Sequence, residues 1–166
     1  MDAQQLLDCI IKPTHEYMGG NYASKNASML SLATAAIESK CGYYIKQVKG
    51  PALGPWQMEP ATHDDIWLNC DAIQSDGSSK SQHLNVLIQS LGVFMNGDED
   101  LAISPMYACA MARLKYSMDK EPLPDCDNIR AVFDYYKRIY NTPAGASTYE
   151  KFKQAWIYHK LSEIEL

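Results

Sequence analysis

Glu38 is the residue of this chain best placed to carry chemistry. It lies near the end of an apolar helical stretch whose face is Met29, Leu30, Ala33, Ala36 and Ile37, so its carboxyl is expected beside buried surface. Apolar surroundings disfavour the charged form, and a carboxyl still protonated near neutral pH can donate a proton to a leaving group. At a glycosidic oxygen such a donor also needs something to stabilise or capture the oxocarbenium-like centre. The loop that follows offers suitable material. Gly50 and Gly54 allow close backbone approach, Pro51 and Pro55 stiffen the path, and Trp56, Gln57 and Met58 sit between them and the next helix. Gln57 can donate to and accept from a hydroxyl or acetamido group, while Tyr43, Tyr44 and Trp56 offer apolar faces for sugar rings.

A glycoside hydrolase places a second carboxylate about 5 to 5.5 Å away for retention, or about 6.5 to 9.5 Å for inversion. Glu59, Asp64 and Asp65 are the nearest acids along the chain, although Asp64 and Asp65 also read as first-turn acids favoured by a helix dipole. Ser39 sits in no Gly-x-Ser-x-Gly elbow and has no marked histidine partner, so it is not read as a nucleophile. Cys41 paired with His63 or His83 would be needed for a cysteine peptidase, and four scattered histidines give that pairing no specificity. His15, His63, His83 and His159 lack metal-site spacing, and Cys9, Cys41, Cys70, Cys109 and Cys126 form no CxxC pair. The expectation is therefore no metal, no cofactor, and reduced, mostly buried thiols.

Elements that position these residues follow from apolar periodicity, which is helical through most of the chain. The fold class expected is mainly α, a single domain over residues 1–166, with about six to eight helices and a short β-ribbon near residues 43–48. A first helix is expected at about 3–12, and a second at about 24–40, ended by Gly42. A third carries Leu84, Leu87, Ile88 and Leu91 behind a Ser81 cap. Ser104 and Pro105 form a cap and first-turn proline before Tyr107, Ala108, Met111 and Leu114. Asp127 is the expected cap of a helix with Ile129, Val132, Phe133, Tyr136 and Ile139 on one face, and Ser147 with Glu150 forms a capping box for the last helix. Thr62 with Asp65 makes a weaker box before Ile66 and Trp67, and segments 71–80 and 96–100 read as polar surface connections.

Composition narrows the partners. A chain of 166 residues with 46% hydrophobic content supports one real core. A net charge of −5 without a Lys/Arg run argues against nucleic acid and gives no electrostatic steering toward an anionic polymer. No apolar run reaches membrane-span length, so no stable membrane insertion is expected. The start, MDAQQLLDCIIKP, lacks a basic n-region and does not read as a secretory signal, so synthesis in a reducing cytoplasm is expected, with delivery by other means if the substrate lies outside the membrane.

Three segments resemble one known family, the lytic transglycosylases related to goose-type lysozyme, in the lysozyme-like superfamily. AAIES at 35–39 is similar to the family's catalytic Glu-Ser, GPALGPWQMEPAT at 50–62 to its Gly-Ala-x-Gly-Leu-Met-Gln-x-x-Pro-x-Thr segment, and YNTPAG at 140–145 to its Tyr-Asn-x-Gly motif. Pro51 stands in place of the first Gly of that pattern, Pro55 and Trp56 in place of Leu-Met, and no Phe-Asn pair follows Ser39. The resemblance implies a lysozyme-like fold and cleavage of the β-1,4 bond between N-acetylmuramic acid and N-acetylglucosamine in peptidoglycan. Glu38 would then be general acid and base, with Ser39, Gln57, Met58, Trp56, Tyr140 and Asn141 holding substrate. In this family a single acid suffices, because it next deprotonates the substrate's own C6 hydroxyl. The wording of 54–67 and 135–145 is most similar to bacteriophage lysis or virion-associated proteins, which implies association with virion proteins and action in the periplasm or cell wall after delivery by the virion or membrane permeabilisation. A lysozyme-type hydrolase of murein or chitin, and a catalytically inactive virion protein that binds murein, remain open alternatives.

Overall fold

The computed structural model describes residues 1–74, 79–94, 96–142 and 145–166. Residues 75–78 of the expected polar connection, and Pro143 and Ala144 of the YNTPAG segment, lie outside them. The described chain is mainly helical: α1 (Ala3–Leu6), α2 (Lys12–Met18), α3 (Lys25–Ser39), α4 (Pro60–Asn69), α5 (Ser79–Leu91), α6 (Asp100–Ile103), α7 (Pro105–Ser117), α8 (Ile129–Tyr136) and α9 (Tyr149–Tyr158). No helix among the described residues is long and apolar enough to cross a membrane.

The middle of the molecule is α3. Ser24 caps it, its hydroxyl accepting from the Ala27 amide at 3.1 Å. Every residue from Ala27 to Ala36 is buried, so the one apolar face expected from sequence is instead a helix enclosed on all sides. Small Ala and Ser side chains let neighbours come close, and the Thr34 hydroxyl is absorbed by the Leu30 carbonyl at 2.8 Å and the Tyr116 hydroxyl at 2.6 Å. The second buried helix, α7, begins with the expected Ser104 cap and Pro105, and packs against α3, α2 and α4.

Several local expectations are corrected. The first helix does not end at Lys12: a π-helical turn, Leu7–Ile11, joins α1 to α2 and lets the helix run through Pro13 to Met18. The Lys12 amide reaches back to the Leu7 carbonyl, and this wider turn takes up the proline that a regular helix interior tolerates poorly. Asn128, not Asp127, caps α8. Thr148, not Ser147, caps α9. Ser81 lies inside α5. Thr62 also lies inside its helix, since α4 starts at Pro60 behind Glu59. The segment near 43–48 forms no ribbon among the described residues; Lys46 and Leu53, and Leu53 and Met58, make isolated antiparallel bridges.

Those bridges and the prolines shape the loop that follows α3. Gly54 has φ +73, and a Cβ there would sit 2.1 Å from the Leu101 carbonyl oxygen of α6. Gly54→Ala should therefore destabilise the protein by about 2 kcal/mol or more, combining a left-handed backbone cost with a backbone clash. Chemical denaturation measures it; unchanged stability would mean that the loop does not seat against α6.

Candidate active site

Glu38 is on the last turn of α3, half-buried, with its carboxyl opening into a groove of about 560 Å³. Gln57 and Met58 from the loop, and Tyr140 and Asn141 from beyond α8, line the same groove. Those two arrive there because α8 continues into a second π-helical turn, Lys137–Asn141. Such turns re-aim side chains and recur at functional sites. The Lys137 ammonium fastens the turn, donating to Asn141 Oδ1 at 2.8 Å and to the Gly145 carbonyl at 2.6 Å.

The Tyr136 hydroxyl, at the end of α8, donates to Glu38 Oε1 at 2.5 Å and lies 3.0 Å from Ser147 Oγ. Burial pushes the Glu38 pKa above its ordinary value of 4.5, while the hydrogen bonds from Tyr136 and Asn141 pull it back; burial is the larger effect. The Tyr136 phenol is itself driven far up by burial and by the neighbouring carboxylate, so it keeps its proton and remains a donor. The arrangement is that of an acid that retains its proton to higher pH than an ordinary glutamate.

Sequence reasoning misses Tyr136 as the partner of Glu38 and Ser147 as the partner of Tyr136. The sequence offers Tyr136 as part of a core face and Ser147 as a helix cap, and neither property signals a carboxylate contact across 98 residues.

Two residues expected to hold substrate do not reach the groove. Ser39 is 0% exposed, and its hydroxyl lies 3.1 Å from the Ala35 carbonyl and 2.5 Å from the Pro55 carbonyl while accepting from the Gly42 amide at 2.7 Å. Trp56 is also 0% exposed, with its indole N–H donated to the Ser31 carbonyl at 2.9 Å. Both belong to the core beneath the groove. Tyr43 and Tyr44 are not among the residues lining it either. Gln57 does line it, held at φ +44 with its amide donating to the Gly54 carbonyl at 2.8 Å. Thr142, at φ +65, lines it as well. Two non-glycine residues in left-handed conformations at one groove fit the tendency of backbone strain to gather at binding sites.

Among the expected second acids, Glu59 is exposed and lines the groove. Asp64 and Asp65 do not line it: Asp64 sits 3.4 Å from His63 Nδ1, and Asp65 pairs with Lys115 at 3.3 Å and accepts from Asn69 at 2.9 Å. Cys41 is buried and its thiol is pushed up to about 12 by burial, which leaves it a poor nucleophile. Among the described residues one group of ligand-type side chains could share an ion, the consecutive Asp125, Cys126 and Asp127, and none of these lines the groove.

Comparison with known proteins finds no matching family model, no matching curated protein and no matching solved structure.

The raised Glu38 pKa has a thermodynamic counterpart. The folded state holds this proton more tightly than the unfolded chain, so the contribution of Glu38 is most favourable below its unfolded pKa and is lost as pH rises through the folded value. Glu38→Gln, whose amide oxygen can still accept from Tyr136, should be more stable than the parent above that window and closest to it at low pH. Paired melting curves from about pH 4 to 8 check this; a difference that shrinks with rising pH would contradict it.

Proposed function

We propose that this chain is a peptidoglycan-cleaving enzyme of the lysozyme-like kind, a lytic transglycosylase acting on the β-1,4 bond between N-acetylmuramic acid and N-acetylglucosamine. The observation that carries the reading is the half-buried Glu38 carboxyl, biased toward its protonated form, at a groove it shares with Gln57, Met58, Tyr140 and Asn141. Protonated Glu38 would give its proton to the bridging oxygen as the glycosidic bond breaks. The resulting carboxylate would take the proton of the muramic acid C6 hydroxyl, whose oxygen then bonds to C1 and closes a 1,6-anhydro ring. No water is consumed and Glu38 ends protonated, ready for another turn. Gln57 and Asn141 offer amides to the acetamido and hydroxyl groups. The bacteriophage context, with delivery by a virion or after membrane permeabilisation, belongs to the same proposal.

Hydrolysis is the second reading, favoured by the exposed Glu59 carboxyl on the same groove, which would activate a water. Digestion of purified sacculi followed by mass analysis separates the two, since 1,6-anhydro ends mark transglycosylation and reducing ends mark hydrolysis. Glu38→Gln should cut release of either product by about 10²- to 10⁴-fold. Absence of release by the parent protein would defeat the enzymatic reading and leave a protein that only binds murein, whereas full release by the variant would remove Glu38 as the acid.

Tyr136 gives a sharper check. Its hydrogen bond favours the ionised carboxylate, so Tyr136→Phe should raise the Glu38 pKa further. Activity that depends on protonated Glu38 falls as pH rises through that pKa. The alkaline limb of the pH–rate profile should therefore move to higher pH in the variant, with a lower maximal rate from the looser carboxyl. A limb that moves to lower pH would show that Glu38 is not the group being titrated.

A further inference from the structure

A second concavity of about 470 Å³ lies beside the turn that follows α3, lined by Lys40, Tyr43, Tyr44, Tyr158 and His159 among others. Tyr43 is 72% exposed and Tyr158 77%, so neither ring contributes to the core. Aromatic rings left in water around one hollow are a form of surface that marks binding sites. The rings are also ordered relative to their neighbours. Tyr43 meets Tyr44 edge to face at 4.9 Å and 83°, Tyr158 meets His159 at 4.9 Å and 84°, and the Lys40 ammonium lies 5.7 Å from the Tyr44 ring centre.

We infer that this hollow is a holding site for pyranose rings of the same glycan whose bond the groove would cleave, an inference that rests on the murein reading above. The apolar C–H face of a pyranose matches a tyrosine ring, and phenol hydroxyls, an ammonium and an imidazole supply partners for its hydroxyl and acetamido groups. Burial, and after it the N-terminus and Lys40, lower the His159 pKa, so its imidazole loses its proton at lower pH than an ordinary histidine. Adjacency to the groove favours a polymer over a separate small ligand. Glu38 opens into the groove and Lys40, two residues later and left-handed at φ +54, lines the hollow. The Gln57 amide, on the groove wall, also reaches the Tyr44 carbonyl at 3.4 Å. A long strand can engage both places at once, whereas a short oligosaccharide occupies the groove alone. Linking two contacts in this way strengthens polymer binding without altering the chemical step.

The test uses the full chain with Glu38→Gln, to prevent cleavage, and sedimentation with purified sacculi. Adding Tyr43→Ala and Tyr158→Ala should weaken sacculus binding about tenfold, the scale of two lost ring contacts. Replacing the same residues by Trp should retain it. With Glu38 intact, the double Ala variant should cleave short soluble murein oligosaccharides at the parental rate while losing rate on sacculi at low substrate. Sacculus binding that is unchanged by the Ala substitutions, or that no variant shows at all, overturns the proposal. Its failure is distinct from failure of the groove reading. If the parent releases no product yet the Ala variant loses sacculus binding, the hollow stands and the enzyme falls; if the parent cleaves and the Ala variant binds undiminished, the hollow falls alone.

Discussion

The rest of the site depends on a contest at one carboxyl. Glu38 stands at the end of a helix that is buried over Ala27 to Ala36, and withdrawing it from water makes its ionised form costly. The Tyr136 hydroxyl and the Asn141 side chain favour that ionised form, which limits the effect of burial without overcoming it. A group with both influences keeps its proton to higher pH than an ordinary glutamate and is stabilised after giving it up, the two properties that the proposed acid and base roles would draw on.

The fold imposes this contest through one departure from regular helix geometry and one enclosed helix. Because α3 is buried around its whole circumference, it has little freedom to roll, and the direction of Glu38 is set by packing rather than by the residue's own preferences. The π-helical turn Lys137–Asn141 prolongs α8 and brings Tyr140 and Asn141 to the groove, while the buried Tyr136 just before it donates to Glu38. Rings of Tyr136, Tyr140, Phe133, Phe152 and Trp156 run from the Glu38 carboxyl to α9, so its hydrogen-bond donor rests on an aromatic layer.

What was legible in the sequence was local, and what escaped was tertiary. The Ser104–Pro105 pair announced the start of α7, because a cap and a first-turn proline act within four residues of themselves. The mainly α class followed from periodicity in the same way. Of the residues expected to line a groove, Glu38, Gln57, Met58, Tyr140 and Asn141 do so, while Trp56 and Ser39 turn inward. An aromatic residue beside glycine and proline has no local property that decides whether its ring faces solvent or core; that choice belongs to Ser31 and α3. Ser147 misled for a related reason. Adjacent Ser147 and Thr148 are both good caps, and the claim of Tyr136 on Ser147 leaves the cap to Thr148.

The inward-turning residues explain how a loop without regular strands holds its shape. Three successive residues are tied to different parts of the frame: the Pro55 carbonyl to the Ser39 hydroxyl, the Trp56 indole to the Ser31 carbonyl and its own carbonyl to the Tyr140 hydroxyl, and the Gln57 amide to the Gly54 carbonyl. Proline has no N–H to contribute, so only its carbonyl is available, and Ser39 meets it. Tyr140 thus lines the groove with its ring while its hydroxyl pins the floor, and the residue following Glu38 fastens the wall that faces it. Pinning both ends of the segment leaves Gln57, Met58 and Glu59 as its part at the groove, with Met58 only 2% exposed there. Changes among those three would alter what the groove accepts, whereas changes at Ser39 or Trp56 would act through the position of all three at once.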